Sequence, residues 1–373
     1  MSFFSRFLKK KKASPAAPQP PLTLMQAASN VTELEVIAPQ AALLVQDGVL
    51  PDGSQSVFHG WVSDALTLRQ YKLKDVVLDR SLMVFLQQGR LITDTNYLQS
   101  PDALAALTIR PDDLIASPAG PEDVAACFDH WDTNYYHWLV HTVPTLFQLK
   151  QQGFNGKLIL PQLTPWQQET VRLVGFDPAD SILTQPGKHY AFKTVLYTDY
   201  VRGAADFSPS VLARSAYHAL AAQAGVTGQE QRTLNLFIER GAASNRAMPN
   251  DAALTQALTE AGFTAVRPET MSIAEQARLF AKARIVVGAL GAGMANLAWC
   301  RPGTVVFELV PQHHQNPCTL SLATQMGLPY WGELVETGVE AESHVAGSQR
   351  AFNVPAIVQR AKQLADYARD TVP

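Results

Sequence analysis

Cysteine is scarce: Cys127, Cys300 and Cys318 are the three in 373 residues, widely spaced and without a CxxC pair. An odd, scattered set gives no basis for a disulfide framework or a thiolate zinc site, and it fits a reducing cytoplasm. No apolar run approaches the roughly twenty residues that a membrane-spanning helix needs, so the chain is expected not to cross a bilayer. Positive charge is not in excess either. The formal charge is −3 and the isoelectric point is near 6.3. A general nucleic-acid binder needs a strongly basic face, so no nucleic-acid partner is expected, although a local basic cleft is compatible with these numbers. What remains is an ordinary soluble composition, 47% hydrophobic and 17% charged, long enough for two domains with cores of their own.

The N-terminus also lacks something. MSFFSRFLKKKKASPAAPQPP has neither the long apolar core nor the small-residue cleavage site of a secretory signal. Residues 1–22 are therefore taken as a basic, Pro-rich tail. A solvated, disordered tail is the favoured reading. The other is a short amphipathic anchor, in which residues 1–12 make peripheral contact with the cytoplasmic face of the inner membrane through Lys9 to Lys12.

Beyond the tail, residues 23–224 are expected to form an N-terminal α/β domain, strand-rich and irregular at first. DVVLD reads as a strand, and SLMVFLQQGRLITDT as a hairpin turning near Gln88 and Gly89. A strand from Val124 to Phe128 then runs through FDHWDT into a helix from about Tyr135 to Gln151, with Asp132, Thr133 or Asn134 as its cap. AGVTGQEQR is polar enough to be a joint. Residues 225–350 alternate strand and helix as a doubly wound parallel sheet requires, with Ser272 and Glu275 in capping-box spacing and Asn250 as a helix cap. Val354 to Arg369 is an amphipathic helix within a C-terminal piece, residues 351–373, expected to pack back across the first domain.

The densest signal is RIVVGALGAGMANLAWCRPGTVVFELV, from Arg284 to Val310. A β-branched run stops at Gly291 and Gly293, Met294 to Cys300 has helical composition, and a second strand follows with Glu308 near its end. A glycine loop opening a helix suits a phosphate, because unpaired N–H groups and the helix dipole both favour negative charge there. The competing reading is that small residues merely allow a strand and a helix to pack closely. Glu308 can accept hydrogen bonds from ribose hydroxyls. In FIERGAASNRAMPN, Arg240 leaves the end of a strand and Arg246 follows in the same loop, where planar guanidinium donors suit a diphosphate.

From the first half comes NYYHWLVH. His137 and His141 are four apart, on one helical face. Zinc is disfavoured there: HWLVH lacks the glutamate of HExxH, and no third ligand stands out in the sequence. A general base is the better functional reading, with Asp129 and His141 as alternatives to His137. A core-packed, inert His137 competes with it.

Four blocks, NYYHWLVHTVP, FIERGAASNRAMPN, EQARLFAKARIVVGALGAGMANL and VVFELVP, together resemble glycosyltransferase family 61 over roughly residues 120 to 335. The resemblance implies an α/β, GT-B-like fold of two Rossmann-like domains facing a central cleft. It also implies an inverting glycosyltransferase with no required cofactor or metal, using a nucleotide-sugar donor, foremost a UDP-sugar. A glycan or lipid-linked acceptor, surface polysaccharide synthesis and a cytoplasmic location follow from the same likeness. The matching positions are Asn134, His137 and Trp138; then Arg240, Arg246 and Asn250; then Gln276, Gly288, Gly291, Ala292, Gly293, Asn296 and Glu308. Two positions depart from the pattern: Leu290 stands where the glycine loop usually begins with histidine, and His141 where an acidic residue is common. A non-catalytic sugar-binding relative is the first rival, and a dinucleotide-dependent oxidoreductase a weaker one, because Asn296 replaces the third glycine of GxGxxG.

Overall fold

The structure is a computed structural model, and it describes residues 20–116, 123–240, 248–343 and 346–371. The chain divides into two compact units, one of residues 1–36 and 67–205, the other of residues 37–66 and 206–373. Among the described residues no helix is long and apolar enough to cross a membrane.

The first unit is built on a mixed, nine-stranded sheet. Its strands are β1 (Ala28–Ile37), β2 (Leu66–Asp79), β3 (Val84–Gln87), β4 (Arg90–Leu91), β5 (Leu114–Ala116), β6 (Val124–Ala126), β7 (Lys157–Leu160), β8 (Ile182–Leu183) and β9 (His189–Thr198). The path is β4-β3-β2-β9-β6-β7-β8, antiparallel from β4 to β9 and parallel from β9 to β8. The expected hairpin is β3–β4, turning at Gln88 and Gly89 with φ of 52° and 77°. Two left-handed residues in a row match the twist of the flanking strands. The alternating βα reading missed the full length of β2, which pairs with β9 from Gln70 to Asp79.

The second unit holds a five-stranded, wholly parallel sheet: β10 (Leu234–Ile238), β11 (Thr264–Val266), β12 (Ala283–Ala289), β13 (Val305–Pro311) and β14 (Tyr330–Val335), in the order β11-β10-β12-β13-β14. Counted within the unit this is 2-1-3-4-5, a doubly wound order whose direction reverses between β10 and β12. Such a sheet is buried on both faces, which accounts for the unbroken apolar runs in β12 and β13. The helix Ile273–Phe280 between β11 and β12 starts as expected. Ser272 Oγ accepts from Glu275 N at 3.2 Å, and Glu275 Oε2 accepts from Ser272 N at 2.8 Å.

The two units differ in two respects from the expected domains. The C-terminal helix (Val354–Thr371) groups with the second unit. Its stripe Ile357, Ala361, Leu364, Ala365 and Ala368 is buried with Phe237, Val287 and Phe307 of the parallel sheet. A parallel sheet must be covered on both faces, and this helix covers part of one. Residues 37–66 and the helix Val211–Gln223, expected in the N-terminal domain, group with the second unit. The reason for residues 37–66 is the open edge of β14: Tyr330 N donates to Leu43 O and Val57 N to Gly332 O, each at 2.9 Å. Val45 and Leu50 then join the apolar core of that unit.

Candidate functional site

Each unit carries its own constellation. In the first, β6 runs out through Cys127 and Phe128 to Asp129, and a helix begins at Tyr135 under a cap from Asn134, whose side chain accepts from Tyr136 N at 2.9 Å. The helix is not regular. Trp138 to Thr142 form a π turn, with Val143 N–H reaching back to Trp138 O. Pro144 explains this physically: it has no N–H to continue the ladder, and its ring crowds the preceding turn. Single π turns recur at functional sites. Here the turn starts directly after His137 and contains His141.

Asp129 binds both rings with one oxygen. Its Oδ2 lies 2.8 Å from His137 Nδ1 and in hydrogen-bond contact with His141 Nδ1, while Oδ1 accepts from Trp131 N at 2.7 Å. The side chains of Asp129 and His141 are sealed, whereas that of His137 is 16% exposed. Burial opposes charge on Asp129, but His141, and after it His137, outweigh burial and hold the carboxyl well below the usual carboxylate range. With Nδ1 protonated on both rings, each Nε2 keeps its lone pair, and only His137 combines that lone pair with a measure of exposure.

Aromatic rings surround the cluster. Tyr97 lies 5.6, 5.7 and 5.5 Å from the rings of His130, His137 and His141, and Trp131 lies 5.8 Å from His137. Trp138 anchors the helix from behind, its Nε1 donating to Thr170 Oγ1 at 2.7 Å. Arg80 fixes the loop after β6: it pairs with Asp132, donates from Nε to Thr184 Oγ1 at 3.0 Å and stacks on Phe128 at 4.7 Å. Sequence reasoning missed Tyr97, Arg80 and His130. His130 was open to view in FDHWDT; Tyr97 and Arg80 reach the cluster only through tertiary structure. Burial keeps His130 below the ordinary histidine range, and its Nδ1 has no hydrogen-bond partner among the described residues.

Asp129 supplies a third ligand atom beside the histidine pair. Asp129, His137 and His141 each offer a ligand atom, all within 4.8 Å of one another, a nitrogen and oxygen donor set that suits zinc.

In the second unit the strand ends at the reversal point of the sheet bring Arg240 and the glycine loop together. Arg240 follows β10, Leu290 follows β12, and Arg240 Nη2 donates to Leu290 O at 2.5 Å. The expected helix after the loop is a 3-10 helix, Ala292–Trp299, beginning after Gly291. Gly291, Ala292 and Gly293 are partly exposed at its start. Gly291 has an extended φ of 173°, and the packing reading of the small residues is the one visible here: a Cβ on Gly293 would sit 3.0 Å from Ile238 Cγ2.

Three other expected donor-side residues have structural work to do. Glu308 is fully enclosed and accepts from Tyr330 Oη at 2.6 Å, so in this structure it is not placed to hold a ribose. Asn296 is buried and donates to Gly293 O at 3.0 Å. Asn250 stands at the cap position without a side-chain capping bond; instead its amide clamps the backbone of Phe352, donating to Phe352 O at 3.0 Å and accepting from Phe352 N at 2.7 Å. Arg246 and residues 1–12 lie outside the described residues. Beside Arg240 the strand ends form a shallow, half-open pocket lined by Met248, Ala289, Leu309, Pro311, His313, Val335, Thr337, Ala346, Ser348 and Phe352. His313 was another residue missed, although it stands just past the end of β13.

In open doubly wound sheets ligands bind at the carboxyl ends of the strands, at the reversal point where Arg240 and the glycine loop stand here. The model of the family described as Glycosyltransferase 61 matches residues 135–307, from the first helical residue of the histidine segment to the middle of β13. Over those residues the chain is similar to glycosyltransferase family 61. No curated protein matches it. Among solved structures, the metal-soaked Flv1 flavodiiron core from Synechocystis sp. PCC6803 matches at 14% identity and a TM-score of 0.26, over 63% of this chain and 51% of that one. The chain thus spans about half the length of that structure, and so low a score carries no argument.

Proposed function

We propose that the protein is an inverting glycosyltransferase that moves a sugar from a nucleotide-sugar donor, foremost a UDP-sugar, to a hydroxyl of a glycan or lipid-linked acceptor in surface polysaccharide synthesis. The proposal includes a GT-B-like division of labour, with the base from the first unit and the donor on the second, and a cytoplasmic site of action, with residues 1–12 as a peripheral membrane contact. The observation that carries it is the Asp129 carboxylate gripping Nδ1 of the partly exposed His137. A ring held in that tautomer presents Nε2 as a base. His137 Nε2 takes the acceptor proton, the acceptor oxygen forms a bond to the anomeric carbon, and the bond from that carbon to the diphosphate breaks with inversion. Arg240 and the start of the 3-10 helix stabilise the charge on the departing nucleotide diphosphate.

The experiment is a transfer assay of the purified chain with UDP-, GDP- and CDP-sugars. Turnover with one of them, and its loss in His137→Ala with donor affinity retained, supports the reading. Donor binding without turnover in the wild type would favour a non-catalytic relative, for which Leu290 in the glycine loop is the motivating residue. NAD(H) is included because of the oxidoreductase rival. That rival is weakened by the fold: the glycine loop follows β12, the third strand of its sheet in chain order, and a dinucleotide fingerprint follows the first. A zinc-dependent reading is favoured by one observation, the three-donor cluster.

A further inference from the structure

We infer that His313 reads the base of the nucleotide, an inference that rests on the donor-side assignment of the second unit. His313 lies two residues past the end of β13 and lines the strand-end pocket with Arg240. It is 7% exposed, and its Nδ1 lies 2.6 Å from Thr337 Oγ1. Thr337 is itself fixed, because its carbonyl accepts from Gln349 N at 2.7 Å and from Ser348 Oγ at 3.2 Å. The imidazole therefore has one edge locked. Its other nitrogen, Nε2, is buried and has no hydrogen-bond partner among the described residues.

Buried polar atoms are almost always paired, so one that is not needs a physical explanation, and a bound group is one such explanation. The chemistry of the pocket says which group. Leu309, Val335 and Phe352 offer apolar walls to a flat ring, His313 lines the same pocket with its Nε2 unsatisfied, and Arg240 brings a permanent positive charge to it. A heterocycle with a polar edge attached to an anion is a nucleotide. The tautomer set by Thr337 decides the sense of recognition: if Nδ1–H donates to Thr337, Nε2 accepts from the base, and if the Thr337 hydroxyl donates, Nε2–H donates. Either way Nε2 contacts the base and Arg240 the phosphates.

Calorimetry of the full chain with UDP, CDP, GDP, ADP and inorganic pyrophosphate tests this. His313→Asn keeps the bond to Thr337 and removes the outer nitrogen; His313→Gln does the reverse. The expected result is that the best-bound nucleoside diphosphate is weakened about tenfold or more in His313→Asn, as for one lost buried hydrogen bond, and less in His313→Gln. Pyrophosphate binding should be unchanged in both, with melting temperatures confirming that both fold. Equal nucleotide affinity in wild type and His313→Asn, or an equal loss of pyrophosphate affinity, would overturn the role of His313 and leave the donor assignment standing. Absence of binding by every nucleotide to the wild type would overturn both.

Discussion

A single oxygen of Asp129 decides what its two histidine neighbours can do. By accepting from Nδ1 of both rings it orients them and stabilises any positive charge that His137 gains when it takes a proton. Asp129→Asn keeps the shape but offers an N–H or a weaker acceptor where a carboxylate stood. Turnover is expected to fall by roughly 10²- to 10⁴-fold with donor affinity retained, the size seen when an orienting carboxylate or a general base is lost. Steady-state kinetics at saturating donor check it, and an unchanged kcat would remove the dyad from the mechanism. The same group predicts a pH effect. Its folded pKa lies below the unfolded value of about 3.9, so its contribution to stability is fully present above that value and is lost as pH falls through the folded one. Urea unfolding at successively lower pH should therefore show the gap between wild type and Asp129→Asn narrowing only at strongly acid pH. A gap that closes near neutrality would mean that the carboxylate is not ionised and paired as described.

At the level of elements, the parallel sheet of the second unit was readable because it obeys local rules. Its strands are short apolar runs, one of its helices opens with the cap of Ser272 and Glu275, and strands and helices alternate from β10 to β14 among the described residues. Elements that depend on distant partners were not readable. Nothing local in residues 37–66 announces that they will close the edge of β14, and β2 becomes a long strand only because β9 is there to pair with it. The same limit hid the role of Glu308. A carboxylate near a strand end reads as a ligand contact until Tyr330, from the adjacent strand, is seen to hold it inside the unit. The C-terminal helix is the clearest case, since its amphipathic period gave the helix but not the surface it covers. Leu364 is fully buried against the parallel sheet, so Leu364→Ala should destabilise the protein by about 2–5 kcal/mol. Chemical denaturation measures this, and a loss well under 1 kcal/mol would mean that the helix is not an integral layer of that unit.

For the molecule as a whole, the open question of chemistry is where the charge of a departing diphosphate would be met. A metal-assisted transfer would require carboxylates at the ends of the parallel strands to hold a cation against the phosphates. Glu308, the acid that the sequence offered there, is sealed away, whereas Arg240 stands beside the glycine loop. Guanidinium donors can carry that charge without a cation. Arg240→Ala is therefore expected to lower kcat/KM by about 2–4 kcal/mol in transition-state terms, and prolonged dialysis against a chelator is expected to leave wild-type turnover intact. The chelator arm also decides the fate of the other cluster. Asp129, His137 and His141 can hold zinc or share protons, but a histidine whose Nδ1 binds a metal no longer presents the tautomer that its carboxylate partner now enforces. Activity lost to the chelator and restored by zinc would make those three residues a metal centre and end the case for His137 as the base.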